Sequence, residues 1–146
     1  VNQPLLAQKK FPIPTHYLND WNELFSPKEQ QHINTIIDSF NRATSNEIAI
    51  VTLHSIQPYP DIKTIGYEIA NEWGVGAKEK HNGLLIAICV PCRSMSINTG
   101  IGTESIINDE IAQSLIQGYI PYLKGKQYYI GLKKLLYSLF DLWTED

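Results

Sequence analysis

Four side chains with hard oxygen donors are the strongest candidates for chemistry in this 146-residue chain. Carboxylate and amide oxygens are the ligands that Ca²⁺ and Mg²⁺ prefer, above all on loops that can bend around an ion. No EF-hand spacing accompanies them, so ordinary roles stay open: Asn and Asp often make turns, and acidic residues often stabilise the start of a helix. The four residues are Asp20, Asn82, Glu104 and Asp109.

A predicted β-hairpin brings two of these residues together. Residues 84–90 form an unbroken apolar run, which indicates a strand buried on both faces. Residues 94–98 alternate between polar and apolar side chains, which indicates a half-exposed strand. The segment between the two runs is short enough for a hairpin. We therefore expect Asn82, before the first strand, to lie beside Glu104, after the second.

A predicted helix delivers a third loop to the same end of the sheet. Residues 47–53 are apolar and β-branched, as in a core strand, and the next helix, capped by Asp61, carries a buried stripe that ends near Gly74. A strand, a crossover helix and a second strand form a βαβ unit with parallel strands. Three loops then meet at one end. Besides the four ligands, the residues predicted to line this site are Trp73, Lys78, His81, Gly83, Gly100 and Gly102.

Three more helices are predicted from caps and apolar stripes. Residues 26–29 carry the signature of a capping box at the start of the first helix. Another helix begins near Asn108 and is expected to end at Pro121, because proline disrupts a helix interior. The most regular apolar stripe, in residues 132–143, predicts a terminal helix packed on the sheet. Before the first helix, we expect apolar neighbours to hold Asn19 and Asp20 in place, or the pair to make a turn.

Composition excludes several kinds of partner. The formal net charge of −3 does not indicate a basic surface of the kind that binds nucleic acid. The longest apolar run is about seven residues, whereas a membrane span needs roughly twenty, so we expect a soluble domain without a membrane-spanning segment. No charged and apolar leader opens the chain, but a removed signal fits equally well. The compartment, cytoplasmic or extracytoplasmic, stays open.

Familiar catalytic motifs do not occur in the sequence. Residues 100–105 read G-x-G-x-x-S and lack the third glycine of a dinucleotide loop. The patterns G-x-x-x-x-G-K-[ST], G-x-S-x-G and H-E-x-x-H do not occur either. The four histidines are scattered along the sequence and do not have the spacing of zinc ligands.

The two cysteines, Cys89 and Cys92, have the spacing of a redox pair. Redox motifs activate the first thiol at a helix N-terminus, whereas Cys89 closes a predicted strand. In an extended chain, residues three apart lie about 10 Å from each other, beyond the roughly 7 Å that a disulfide spans. We therefore expect two unpaired cysteines unless Pro91 turns the chain sharply.

Several blocks of the sequence resemble one known family. The most specific block is W-G-V-G-A-K-E-K-H-N-G-L-L-I-A, and P-T-H-Y-L-N-D-W-N-E-L-F-S-P-K-E, E-I-A-I-V-T-L, R-S-M-S-I-N-T-G-I-G-T-E and G-K-Q-Y-Y-I-G-L stand around it in family order. Together, over residues 12–143, they are similar to the TPM domain, found in a thylakoid-lumen acid phosphatase, a photosystem repair factor and an acetylcholine-receptor modulator. The resemblance implies a compact α/β/α sandwich, frequent Ca²⁺ binding in the loops and, for some members, phosphatase activity. The four ligand candidates match acidic or amide positions of the family pattern.

The expected architecture combines the predicted elements with this resemblance. Residues 1–11 are expected to form an N-terminal arm, and residues 12–146 a single TPM-like domain. Its fold class is α/β: a three-layer α/β/α sandwich with four main helices and a mixed sheet, in which a βαβ unit is followed by a hairpin. Two departures weaken the site, since His81 replaces the aspartate of the family's D-N-G and Lys126 and Gln127 replace that of G-D-Y. Losing a carboxylate should weaken Ca²⁺ binding.

Three functions stay open at this point. The first is a binding or regulatory domain whose partner is a divalent cation, Ca²⁺ or else Mg²⁺. The second is a metal-assisted phosphatase acting on phosphate esters, with Lys78 or Arg93 balancing charge. The third is a module that binds a protein partner through an aromatic surface. The tyrosines of that surface are Tyr119, Tyr122, Tyr128 and Tyr129.

Overall fold

The computed structural model describes residues 9–76 and 81–144. Lys78 and most of the predicted arm lie outside these described residues. A short strand precedes the first helix, and the other elements follow in the predicted order. The elements are β1 (Leu18–Asp20), α1 (Pro27–Thr44), β2 (Glu47–Thr52), α2 (Ile62–Trp73), β3 (Gly83–Cys89), β4 (Ser94–Thr99), α3 (Asp109–Lys124) and α4 (Tyr128–Trp143).

The strands form one sheet in the order β1-β2-β3-β4. β1, β2 and β3 are parallel, and β4 runs antiparallel to β3. The predicted βαβ unit is therefore β2-α2-β3, and the predicted hairpin is β3-β4. The mixed sheet and the four helices confirm the predicted fold class.

β1 is a strand that the sequence analysis did not predict. Asn and Asp are depleted in strands, so the pair at positions 19 and 20 indicated a turn or a ligand site. Asn19 is nevertheless buried, and its side chain serves the local backbone. Its Oδ1 accepts a hydrogen bond from Thr15 N at 2.9 Å, and its Nδ2 donates to His16 O at 3.0 Å. These bonds and the pairing with β2 stabilise the short strand.

The sheet separates two hydrophobic layers. α2 alone covers one face, where Ile65 and Ile69 belong to the same cluster as Val51 and Leu85. α1, α3 and α4 cover the other face, around residues such as Ile86. β3 is buried over its full length, as its unbroken apolar run predicts. None of the helices in the described ranges is long and apolar enough to cross a bilayer.

The face of β4 that was predicted to be exposed is buried. Ser96 is 3% and Asn98 8% exposed, because α2 packs over them. The Asn98 amide donates to Lys63 O at 3.0 Å, and the Ser96 hydroxyl donates to Asn98 Oδ1 at 2.9 Å. Gly66 permits this approach, since a Cβ there would lie 2.4 Å from Asn98 Oδ1. The polar side chains of β4 thus bond to each other and to a helix backbone where the alternation had indicated solvent.

The predicted helix starts agree with the structure. Ser26 Oγ accepts a hydrogen bond from Glu29 N at 3.2 Å, and Glu29 Oε1 accepts one from Ser26 N at 2.9 Å, which completes the capping box. Asp61 caps α2 by accepting a hydrogen bond from Thr64 N at 2.8 Å. Hydrogen bonds from the Thr64 hydroxyl and then from its backbone N–H hold the pKa of Asp61 below its ordinary value.

α3 continues past Pro121, so its predicted end was wrong. A proline removes one backbone donor and crowds the carbonyl four residues earlier. Contacts with α4 nevertheless hold the last turn of α3. The Tyr119 hydroxyl donates to Tyr128 O at 2.9 Å, and Tyr122 packs directly on Gly131. Packing between the two helices therefore overrides the local cost of the proline.

The two cysteines form a disulfide, which corrects the expectation of unpaired thiols. Cys89 ends β3, and the chain turns at once, so that Arg93 N donates to Val90 O at 3.0 Å. This turn brings the Cα atoms of Cys89 and Cys92 to 5.2 Å from each other. The longer distance expected from the sequence assumed an extended chain, whereas the hairpin begins directly after the buried strand.

The described chain before β1 lies along α2. The Glu72 carboxylate accepts hydrogen bonds from the backbone N–H groups of Lys10 at 2.8 Å and Phe11 at 2.9 Å. The Trp73 indole N–H donates to Pro12 O at 3.0 Å. α2 therefore covers one face of the sheet and also fastens the segment that enters the domain.

Candidate functional site

The two ends of the sheet have different surroundings. The register pairs Leu84 with Thr99, so β3 begins where β4 ends. We call this the opening end, because the three parallel strands all begin there. At the opposite end, the closing end, the register pairs Asp20 with Thr52. The four predicted ligands are divided between these two ends.

A cleft of about 470 Å³ lies at the opening end, beside α2 and the turn after β4. Its volume falls within the range of small-ligand sites. Two of the four predicted ligands, Glu104 and Asp109, line it, and both residues are exposed. We call it the acidic cleft. The other predicted site residues in its wall are His81, Gly83 and Gly100.

Backbone hydrogen bonds fix the turn that carries Glu104. Gly102 N donates to His81 O at 3.1 Å, which ties the turn to the segment before β3. Glu104 N donates to Gly100 O at 3.2 Å and closes the turn on itself. Gly102 therefore shapes the turn behind the cleft wall, and Glu104 projects from a defined backbone.

Asp109 reaches the cleft from the first turn of α3. Asn108 is the N-cap of this helix, and its Oδ1 accepts a hydrogen bond from Ile111 N at 2.9 Å. Asn108 thus fills the capping role that the sequence left open for Asp109. The helix dipole favours a negative charge at this position. The Asp109 carboxylate is therefore stabilised by the helix while it lines the cleft.

Two glycines at the cleft join α2 closely to β3. Gly76 has a φ of +65°, and a Cβ there would lie 2.2 Å from Gly83 N. Gly76 N also donates to Glu47 Oε1 at 2.8 Å. Close packing therefore accounts for Gly76 and Gly83.

Asn82 lies at the opening end, but its side chain is used elsewhere. Its Nδ2 donates to Ser45 O at 2.7 Å and to Asn46 Oδ1 at 3.1 Å. These bonds tie the start of β3 to the loop between α1 and β2. The structure therefore gives Asn82 a bracing role, whereas Glu104 and Asp109 line the cleft.

Asp20 lies at the closing end, a strand length of roughly 20 Å from the acidic cleft. Its carboxylate accepts hydrogen bonds from the Thr52 hydroxyl at 2.8 Å, from Leu24 N at 2.9 Å and from Phe25 N at 2.8 Å. The structure does not bring Asp20 together with the other predicted ligands. The reason is the pairing of β1, since the last residue of a parallel strand faces the end opposite to the start of β3.

Trp73 lies beside the acidic cleft but lines a different groove. That groove also contains Tyr17 and Ile48, on the other side of the last turn of α2. The Trp73 ring meets Trp21 edge to face, with 5.9 Å between the ring centroids. Trp73 therefore does not line the acidic cleft. Lys78 falls outside the described residues.

The donors of the acidic cleft suit a hard cation. Glu104 and Asp109 supply carboxylates, the ligands that a hard cation prefers. Thr103, next to Glu104, is fully buried, and its hydroxyl has no hydrogen-bond partner among the described residues. Thr103 does not line the cleft, so its hydroxyl does not belong to this set of donors. Within the described ranges no three His, Cys, Asp or Glu side chains gather around one point, so carbonyl or water oxygens would have to complete the shell.

Sequence reasoning missed the wall that α2 and β4 contribute to the cleft. Tyr67 and Lys63 of α2 line it, together with Asn98 of β4. Tyr67 is 59% exposed. One signal was available, because Tyr67 falls outside the buried helical stripe formed by Ile62, Ile65 and Ile69. This position off the buried face of α2 could have placed Tyr67 at the surface, but a single exposed aromatic side chain does not by itself indicate a site.

The clearest interaction between ionisable side chains lies away from the cleft. The Tyr17 hydroxyl donates to Asp38 Oδ1 at 2.8 Å, and Arg42 Nε donates to Asp38 Oδ2 at 2.7 Å. The hydrogen bond from Tyr17 lowers the pKa of Asp38, and the same bond raises the pKa of Tyr17. This pair fastens the chain before β1 to α1 and takes no part in the acidic cleft.

A mixed four-stranded sheet between one helix and three, with a glycine-lined cleft at one end, defines a small α/β sandwich domain. The family model of the TPM domain matches residues 18–142 of the chain. The chain therefore belongs to the TPM domain family, as the resemblance of its sequence blocks predicted. No curated protein matches the chain.

Solved structures share this fold. The N-terminal domain of a P. gingivalis protein is 26% identical, with a TM-score of 0.76 over 88% of this chain and 82% of that one. The N-terminal domain of the cg2496 protein from Corynebacterium glutamicum is 17% identical, with a TM-score of 0.68 and coverage of 92% and 84%. The BA42 protein of the psychrophilic bacterium Bizionia argentinensis is 16% identical, with a TM-score of 0.72 and coverage of 84% and 83%.

Proposed function

We propose that this TPM domain binds a divalent cation in the acidic cleft and acts as a binding or regulatory domain. The observation that carries the proposal is that Glu104 and Asp109 line one cleft at the opening end of the sheet. Asp20 and Asn82 are left out of the proposed ligand set, since both side chains are engaged in the fold.

Ca²⁺ suits the acidic cleft better than Mg²⁺. Ca²⁺ accepts six to eight oxygens in flexible geometry, whereas Mg²⁺ demands a near-ideal octahedron and gives up its waters reluctantly. A cleft with two exposed carboxylates, one on a turn and one at the start of a helix, offers the first arrangement more readily than the second. His81 stands where the family has an aspartate, so we expect a weak site with a dissociation constant of about 10⁻⁴ to 10⁻³ M.

Phosphate-ester hydrolysis has less support in this cleft than cation binding. A metal-assisted phosphatase needs positive charge to balance the phosphoryl group besides the ion. In the part of the chain that the structure describes, Lys63 is the only lysine or arginine lining the cleft, and its ammonium donates to Ile97 O at 2.7 Å. Arg93 lies in the hairpin turn after β3, at the closing end.

The aromatic surface proposed for a protein partner also has less support. Tyr119 is 1% exposed and belongs to the core. Tyr122 packs on Gly131, and Tyr128 and Tyr129 are half-buried. Tyr119, Tyr122 and Tyr128 join α3 to α4, and Tyr129 contacts His32 of α1, so these rings are better explained by packing between helices than by recognition.

Calorimetry with matched variants tests the proposal. Titration of Ca²⁺ into the domain should give saturable heat, and Glu104→Gln or Asp109→Asn should weaken binding at least about tenfold, because each removes one charged ligand. Glu110→Gln is the control, since Glu110 is an exposed neighbour of Asp109 in the same helical turn and does not line the cleft. Mg²⁺ titrated in parallel should bind more weakly.

The same proteins decide between binding and hydrolysis. Absence of Ca²⁺ binding at millimolar concentration would overturn the proposal. An equal loss of Ca²⁺ affinity in Glu110→Gln would show that negative charge attracts the ion without a defined site. p-Nitrophenyl phosphate with Ca²⁺ or Mg²⁺ tests the phosphatase. Hydrolysis that disappears in Glu104→Gln and persists in Glu110→Gln would establish the enzyme in place of the binding domain.

A further inference from the structure

The last two helices carry a charge opposite to that of the rest of the chain. Residues 111–140 contain four of the twelve lysine and arginine residues and none of the fifteen aspartate and glutamate residues. Both ion pairs among the described residues use other cations, Lys10 and Arg42. The basic side chains of α3, α4 and the turn between them therefore have no ion-pair partner in the described ranges. They are Lys124, Lys126, Lys133 and Lys134.

A groove of about 210 Å³ lies between α3 and α4, with Lys134 on its wall. The Lys134 ammonium lies 5.6 Å from the ring centroid of Tyr122, which also lines the groove. Leu135 is a buried part of the lining, whereas Ser114 and Ser138 are exposed parts of it. Sites for drug-sized ligands measure about 300–1,000 Å³, so this groove suits the protruding side chain of a larger partner instead.

Gly118 keeps the groove open at a cost to α3, because a glycine inside a helix is less stable than an alanine. The glycines Gly66 and Gly131 are explained by packing, since a Cβ at either one would lie 2.4 Å from a neighbouring side chain. No atom of the described residues lies within 4 Å of a Cβ placed on Gly118. Glycine also serves where a ligand approaches a backbone closely, and this use fits the open wall of the groove.

We propose that the groove between α3 and α4 docks an acidic amphipathic helix of a partner protein. An apolar side chain of that helix fills the groove beside Gly118, and its carboxylates face Lys134 and the lysines of the turn after α3. Charge complementarity of this kind guides association and fixes orientation. Asp109 and Glu110 stand at the other end of α3 from Lys124, so the acidic part of the partner lies towards the turn. This inference does not depend on the proposed cation binding.

A helix fits this groove better than an extended peptide, a bilayer or a nucleic acid does. The walls are two helices whose backbone groups are bonded within each helix, so an extended segment would find no backbone partner there. A helix satisfies its own backbone and presents side chains at helical spacing to a groove. A bilayer surface would span the groove without filling it. A nucleic acid would have to bind a chain whose formal net charge is −3.

Fluorescence anisotropy with labelled peptides tests the inference. The probe is an amphipathic helical peptide as long as α3, 16 residues, with leucine along one face and glutamate on both flanks of that face. One control peptide carries lysine in place of glutamate, and a second has the same composition without an apolar face. We expect the probe to bind saturably below millimolar concentration, and each control peptide to bind at least about tenfold more weakly. A chelator should leave these affinities unchanged.

Two leucine variants of α3 test the groove itself. Gly118→Leu places a side chain in the groove and should weaken binding of the acidic peptide at least about tenfold. The variant should fold, because a Cβ at this position has open space and leucine favours a helix. Gln113→Leu is the matched control, since Gln113 is exposed on the same helix and does not line the groove. Its affinity for the peptide should equal that of the wild type.

A pair of charge reversals tests the lysines. Lys134→Glu should weaken binding of the acidic peptide about fivefold, the upper range for one exposed ion pair. Lys134→Arg keeps the charge and should bind like the wild type. Lys28→Glu changes the net charge of the domain by the same amount, but Lys28 is exposed on α1 and does not line the groove. It should bind the peptide with nearly the wild-type affinity.

Several results would overturn the inference. The acidic peptide must bind below millimolar concentration, and Gly118→Leu and Lys134→Glu must each lose more affinity than their controls. Vesicles containing phosphatidylserine and a single-stranded oligonucleotide serve as competing partners. If either binds more tightly than the peptide, and Gly118→Leu leaves that binding unchanged, the lysines attract anions in general and helix docking is wrong. Glu104→Gln should bind the peptide like the wild type, so failure of the cation site would leave helix docking standing.

Discussion

The closing and opening ends of the sheet use acidic side chains in opposite ways. At the closing end, the carboxylate of Asp20 accepts three hydrogen bonds, including those from Thr52 and Phe25. At the opening end, Glu104 and Asp109 are exposed on the wall of a cleft. A carboxylate stabilises the fold where the chain supplies hydrogen-bond donors to it. A carboxylate that faces a cavity remains available to a ligand. Position in the sheet therefore separates the two roles.

Asp20→Ala should have the largest effect on stability. It leaves the Thr52 hydroxyl and the N–H groups of Leu24 and Phe25 without their acceptor, at a cost of about 3 kcal/mol. Urea denaturation followed by circular dichroism measures this loss. Below the unfolding transition, the affinity for Ca²⁺ should equal that of the wild type. If Asp20→Ala kept its stability but lost Ca²⁺ affinity, Asp20 would act in binding, and the proposed separation of roles between the two ends would be wrong.

Removal of the disulfide should have the next largest effect, also at the closing end. The bond between Cys89 and Cys92 spans only three positions, so the chain-entropy model assigns it about 2 kcal/mol. We expect the double variant Cys89→Ala/Cys92→Ala to lose this amount in urea denaturation. A reducing agent should destabilise the wild type similarly and leave the double variant unchanged. Loss of Ca²⁺ binding in the double variant would contradict the independence of the two ends.

Ser26→Ala should have a moderate effect. Ser26 follows Phe25 at the closing end and caps α1, and loss of an N-cap costs about 1 kcal/mol. A lower thermal midpoint measures this change. Ser114→Ala, at an exposed position inside α3, is the control and should shift stability by no more than about 0.5 kcal/mol. Equal effects in the two variants would mean that the capping box is not stabilising.

The smallest effect on the cation-free domain is expected at the opening end. The double variant Glu104→Gln/Asp109→Asn should lose no more than about 0.5 kcal/mol, mainly from the charge at the start of α3. Ca²⁺ at ten times its dissociation constant should stabilise the wild type by about 1.4 kcal/mol and the double variant hardly at all. Thermal unfolding with and without Ca²⁺ measures both. A loss as large as that of Asp20→Ala would make these carboxylates structural.

Local sequence rules predicted most of the architecture. The capping box at Ser26, the cap at Asp61 and the apolar stripes located the helices, since these signals act within a few residues. The unbroken apolar run of β3 and the short turn after it predicted the hairpin. The hairpin and the βαβ unit together place Glu104 beside His81 and Gly83 at one end of the sheet.

The features that the sequence did not predict depend on contacts far apart in the chain. β1 forms because Leu18 pairs with Ile50, and this parallel pairing sends Asp20 to the closing end. The polar face of β4 is buried because Gly66 lets α2 approach Asn98. Spacing along the chain showed which residue types stood near loops. The register of β1 removed Asp20 from the cleft, and the hydrogen bonds of Asn82 to Ser45 and Asn46 removed that side chain.

The clamp formed by Glu72 and Trp73 has a mechanical consequence. Tension applied to the chain ahead of residue 10 passes through three hydrogen bonds into the last turn of α2, before it reaches β1. That turn continues into the Gly74 to Gly76 segment, which forms one wall of the acidic cleft. A force on the entering chain should therefore distort the acidic cleft. Glu72→Ala removes two of these three bonds and should weaken the coupling, which force spectroscopy would register as release of the entering segment at a lower force.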